Sequence, residues 1–128
     1  MHEKIKEVAD RILDLSKDKK IRIVSHFDTD GITSAAIFSK ALSRKGIPFT
    51  LEIVKNLEAE FISSLPEDNI LVFLDLASSS LQELSKKNTE VFILDHHIIE
   101  GTMSENIPLI NPFLYDEETL ASSALCYL

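Results

Sequence analysis

Five apolar residues stand in a row at Ile70-Leu71-Val72-Phe73-Leu74, and the run stops at Asp75. A strand with one face in water alternates apolar and polar residues. An unbroken run marks a strand covered on both faces, as in a parallel sheet flanked by helices. Val91-Phe92-Ile93-Leu94 repeats the pattern and stops at Asp95-His96-His97. A third run, Ile21-Arg22-Ile23-Val24, is β-branched and leads into Ser25-His26-Phe27-Asp28-Thr29-Asp30-Gly31. Three strands are therefore expected to end in residues that bind metal or move protons.

The segments between these runs have helical spacing. Ile5, Val8, Ala9, Ile12 and Leu13 give an amphipathic helix over residues 3–17. From Gly31, the residues Ile32, Ala35, Ala36, Phe38, Ala41 and Leu42 give a helix with a broad apolar face. Lys40, Arg44 and Lys45 complement its dipole, and Gly46 and Pro48 mark its end. Phe49 to Val54 reads as a strand, and Leu57, Phe61, Ile62 and Leu65 as a short helix closed by Pro66-Glu67-Asp68-Asn69. Ser78, Ser79 or Ser80 caps a helix containing Leu81 and Leu84, which ends near Lys86-Lys87-Asn88. After a loop with Gly101 and Pro108 come a short strand at Leu109-Ile110, then Asn111-Pro112, then a helix from about Glu117 to Leu128 that has no stop signal. Strands alternating with helices imply crossover connections and an α/β fold: a doubly wound parallel sheet with helices on both faces.

With 128 residues, of which 45% are hydrophobic, the chain suits one domain with a modest core. Its apolar runs are far shorter than the ~20 residues of a membrane helix, and no signal pattern precedes them. A single cysteine, Cys126, excludes an internal disulfide framework and a multi-cysteine zinc site. The expectation is a cytoplasmic protein away from membranes. Net charge of −8 argues against gripping nucleic acid through the overall field. Two divalent ions among the aspartates would halve that deficit.

Ligands of open parallel sheets bind outside the carboxyl ends of the strands. That rule gathers Asp28, Asp30, Asp75 and Asp95 with His26, His96 and His97 at one sheet edge. Carboxylates so crowded repel one another, and cations offset them. Imidazoles added to carboxylates move the preference from magnesium or calcium towards manganese or another first-row metal. Two such ions would suit phosphoester hydrolysis. Taken singly, Asp30 before Gly31 is an ordinary helix N-cap, Asp75 a cap or turn residue, and His96-His97 one packed and one exposed histidine. Their joint fall at strand ends on one edge favours a shared site. Other readings fail on spacing. His26, Asp28, Asp30 and Gly31 fit positions 1, 3, 5 and 6 of an EF-hand loop, but position 12 is Ile37 rather than Glu. A phosphate-accepting domain with Asp75 as acceptor would not need Asp95-His96-His97. No Walker or Gly-x-Gly-x-x-Gly loop is present.

With His26-x-Asp28-x-Asp30-Gly31, Asp75 and Asp95-His96-His97 in this order, the chain from about Ile21 onwards resembles the N-terminal domain of the DHH-family phosphoesterases. The resemblance is greatest to archaeal single-strand-specific exonucleases similar to RecJ, relatives of the replication factor Cdc45. It implies that His26 and Asp28 bind one metal, that Asp30 and His96 bind another, and that Asp75 bridges them. It further implies that His97 contacts the scissile phosphate or orients the site, and that Asp95 supports the histidines. The cofactors implied are two divalent ions, Mn2+ in preference to Mg2+, activating a water, and the substrate single-stranded DNA or RNA. In this family a fourth aspartate motif and a C-terminal substrate-binding domain lie further on, so residues 1–128 read as an incomplete, apparently truncated DHH domain. A catalytically inactive Cdc45-like scaffold bound to replication-fork proteins is the alternative from another class. A DHH phosphatase, pyrophosphatase or cyclic-dinucleotide phosphodiesterase is the alternative within the family. Retention of every visible ligand favours an enzyme.

Overall fold

The computed structural model describes residues 2–76, 80, 84, 86, 87, 89–95 and 109–110. Its elements are α1 (His2–Leu15), β1 (Lys20–His26), α2 (Thr29–Arg44), β2 (Phe49–Val54), α3 (Ala59–Ser64), β3 (Asn69–Leu74), β4 (Val91–Leu94) and β5 (Leu109–Ile110). All five strands are parallel, in the order β2-β1-β3-β4-β5. The α/β doubly wound expectation holds. Leu84 is helical and buried, as expected for the segment before Lys86, whereas the helix expected over 117–128 lies outside the described residues, as do His96 and His97.

The apolar runs explain the layering. Successive side chains of a strand point to opposite faces, and a run without polar interruption supplies both. Ile21, Ile23, Ile70, Val72, Leu74, Phe92 and Leu94 pack on one face against Val8 and Ile12 of α1 and Leu42 of α2. Val24, Leu71, Phe73, Val91 and Ile93 pack on the other against Ile62, Leu65 and Leu84. Every residue of β3 and β4 is buried, which accounts for the continuous runs 70–74 and 91–94. Strand β2 lies at the sheet edge, where Leu51 and Ile53 are exposed and Glu52 pairs with Arg22 of β1 at 2.5 Å.

Two boundaries differ from expectation. β1 runs on through Ser25 and His26, and α2 starts at Thr29 rather than Gly31. Both shifts have one cause. Asp28, not Asp30, caps the helix: its Oδ1 accepts a hydrogen bond from the Gly31 N–H at 2.8 Å, and Asp30 sits inside the first turn. The chain passes from strand to helix within Phe27 and Asp28, holding both short and fixed.

Candidate metal centre

The order β2-β1-β3 places the topological switch point between β1 and β3, because the chain leaves β1 towards one edge and later returns to its other side. In sheets of this order the crevice at that point is where ligands bind. His26 is the last residue of β1, and Asp75 directly follows β3. Register partners Ser25 and Leu74 bring them together.

His26 Nδ1 lies 3.0 Å from Asp28 Oδ2 and 3.3 Å from Asp75 Oδ2. One ligand atom from each of His26, Asp28 and Asp75 falls within 4.8 Å of the others, a group able to hold a metal ion. Exposure grades across it: Asp75 is fully buried, the His26 side chain is 21% exposed and that of Asp28 45%. The cluster therefore has a buried floor and an open lip.

Local structure fixes each member. Ser25 donates from its buried hydroxyl to the Gly31 carbonyl at 2.7 Å and to the Leu74 carbonyl at 3.3 Å, tying the start of α2 to β3 beneath the site. Gly31 lies within α2 and has no positive φ, so backbone freedom is not the reason for a glycine here. A Cβ at this position would lie 2.0 Å from the His26 carbonyl oxygen, and only glycine lets α2 approach so closely. Asp28 divides its oxygens, Oδ1 to the helix N-terminus and Oδ2 to His26. Asp75 has φ 63°, a left-handed conformation uncommon outside glycine and best tolerated by Asn and Asp. Its N–H donates to the Leu94 carbonyl at 2.9 Å, linking the turn to β4. Local backbone strain of this kind clusters at functional sites.

Partial burial pushes the Asp28 carboxyl up. The Gly31 N–H, a hydrogen bond with Asp75, and the charge and hydrogen bond of His26 together outweigh it, and the pKa lies below the ordinary 3.8. Two carboxylates this close repel each other, and a divalent cation offsets that repulsion. The donor set, one imidazole and two carboxylates, suits a first-row divalent ion.

Of the other expected site residues, Asp95 is fully buried and directly follows β4, whose last residue Leu94 is the register partner of Leu74, so Asp95 and Asp75 leave neighbouring strands at the same level. Asp30 is half-buried in the first turn of α2 and is not one of the three clustered ligands. His96 and His97 lie outside the described residues. Sequence reasoning missed the Ser25 hydroxyl and the capping role of Asp28. The spacing Asp28-Thr29-Asp30-Gly31 carried a signal for the cap, an aspartate three residues before a backbone N–H that needs an acceptor.

Residues 20–127 match the model of the DHH family, N-terminal domain. The chain belongs to the DHH family. An uncharacterized protein of Methanocaldococcus jannaschii is 33% identical over 145 residues, spanning 100% of this chain and 33% of that protein. YorK of Bacillus subtilis, whose name describes a prophage-derived single-strand DNA-specific exonuclease, is 30% identical over 124 residues, 88% of this chain and 21% of YorK. This DHH chain thus spans a third or less of the length of these relatives. Among solved structures, RecJ from Thermus thermophilus in complex with Mn2+ superposes with TM-score 0.79 at 23% identity, over 97% of this chain and 19% of that one. Exonuclease RecJ bound to manganese gives 0.80 at 22%, over 96% and 35%. Cdc45 from Entamoeba histolytica gives 0.74 at 21%, over 95% and 28%. The DHH fold is common to all of them. Among the described residues, no helix is long and apolar enough to cross a membrane.

Proposed function

We propose that this chain is the N-terminal, metal-binding domain of a DHH phosphoesterase that hydrolyses phosphodiester bonds of single-stranded nucleic acid. One observation carries the reading: His26 and Asp28 from the β1–α2 turn and Asp75 from the end of β3 converge at the switch point with their ligand atoms within 4.8 Å. A fully buried carboxylate such as Asp75, with a second one close by, is costly without a counter-charge. The likeness to YorK and to manganese-bound RecJ supports the choice of reaction and metal.

Divalent ions, manganese in first place, would supply Lewis acidity there, activating water and neutralising phosphoryl oxygens. The chain's own residues do the rest. His26 and Asp28 would hold one ion and Asp30 and His96 a second, with Asp75 serving both. Asp75, buried and fixed by β3 and β4, sets the depth at which the phosphate sits. Asp95 orients the histidines that follow it, and His97 meets the scissile phosphate. Residues 1–128 act as one domain of a larger active site, whose fourth aspartate motif and substrate-binding domain lie outside them.

The test is hydrolysis of an end-labelled single-stranded oligonucleotide in manganese by the native protein and by its Asp75→Asn variant. Stepwise shortening by the wild type, slowed at least a hundredfold in the variant, is expected. An inert wild type, or equal rates, overturns the proposal and leaves a Cdc45-like scaffold as the better reading.

A further inference from the structure

Phe27 stands between two residues that the site holds still. His26 is packed beneath Gly31, and Asp28 caps α2, so the Phe27 side chain is displayed from a fixed backbone. The residue is 47% exposed, the one exposed phenylalanine among the described residues; Phe73 and Phe92 are buried in the core, and Phe38, Phe49 and Phe61 pack against it. Leaving so much aromatic surface in water costs stability, and burial elsewhere shows that the fold can cover such rings. The Phe27 ring meets the His26 imidazole edge to face, centroids 5.0 Å apart at 83°. Lys55, just past the end of β2, holds its Nζ over the ring at 5.9 Å from the centroid. A π-surface and a cation thus flank the metal centre on its β2 side, in a protein whose formal charge is −8.

We propose that Phe27 is the stacking platform for a nucleobase of single-stranded nucleic acid, the base next to the phosphodiester at the His26–Asp28–Asp75 cluster, with Lys55 meeting the strand's phosphate. The choice of ligand rests on the phosphodiesterase reading. Aromatic rings beside basic groups are how sequence-tolerant single-strand sites are built, because every base has a π-face. The Phe27 ring lies against His26, itself a member of the cluster, so a base stacked on it would belong to a nucleotide at the metal centre. Phe27, Ile32, Leu51 and Ile53 are each exposed apolar residues that a protein could cover. The cation over the ring and the adjoining carboxylate and imidazole ligands favour a polyanion with flat bases instead.

Residues 1–128 contain no tryptophan, so Phe27→Trp adds the one indole of this domain, and its signal is read as the difference from wild type. In the native protein, with calcium in place of manganese, that variant is titrated with oligothymidylate and with an abasic oligomer of equal length. Quenching by oligothymidylate alone is expected. Phe27→Leu, which keeps apolar bulk and loses the π-face, is expected to bind oligothymidylate about tenfold more weakly than wild type and the abasic oligomer equally well. Equal responses to the two oligomers, or an unchanged preference in Phe27→Leu, overturn the proposal. So does an indole silent to both oligomers but shielded as protein concentration rises, which would mark a protein-docking patch. A protein that cleaves oligonucleotides yet fails this test keeps the phosphodiesterase reading and loses the platform; one that passes without cleaving does the reverse.

Discussion

His26 Nδ1 and Asp75 Oδ2 lie 3.3 Å apart although 49 residues separate them in the chain. The contact spans the switch point of the sheet, and the left-handed backbone of Asp75 presents the carboxylate there. Asp75→Asn keeps a residue tolerant of φ 63° and removes only the charge, so its metal-free stability should stay within about 1 kcal/mol of wild type. Asp75→Val puts a β-branched residue in the same conformation and should cost a further ~1–2 kcal/mol or more. Urea unfolding of the two variants checks the difference; equal stabilities would show that the backbone conformation carries no constraint.

Asp28 has two separable duties. Asn caps helices as well as Asp, so Asp28→Asn should retain the Gly31 N–H bond and unfold within a few tenths of a kcal/mol of wild type while binding manganese at least tenfold more weakly. Asp28→Ala loses both, with about 1 kcal/mol of stability going with the cap. Thermal melts without metal, beside manganese titrations, separate the duties. A metal affinity equal in Asp28→Asn and wild type would remove Asp28 from the ligand set.

Gly31→Ala forces a methyl group to within 2.0 Å of the His26 carbonyl oxygen, and backbone cannot step aside as a side chain can. A loss of ~1–3 kcal/mol is expected, with weaker manganese binding, because the displaced residue is His26 itself. Chemical denaturation and metal titration of one sample measure both. Gly46→Ala, at φ 70° with open space around it, should destabilise without touching metal affinity.

Much of this was legible before the structure. The unbroken runs 70–74 and 91–94 announced strands buried on two faces, and the aspartates ending them fell on one edge because parallel strands share a direction. What stayed hidden were relations that depend on close approach. A glycine at a strand-to-helix junction reads as a bend; only the packing of α2 on β1 shows that the issue is the missing Cβ. Asp28 and Asp30 are both plausible caps by residue type, and the choice between them turned on how far β1 continues. Nothing in an Asp at a strand end declares a positive φ. The exposure of Phe27 was equally hidden, since a phenylalanine beside an apolar strand reads as core.

The central claim is that His26, Asp28 and Asp75 hold a divalent metal, and the most direct measurement is the electron paramagnetic resonance signal of free Mn2+ titrated into the protein. Wild type should suppress the free-ion signal stoichiometrically at micromolar concentrations, and Asp75→Asn, equally well folded, should leave most of it. Equal suppression by both proteins would contradict the assignment.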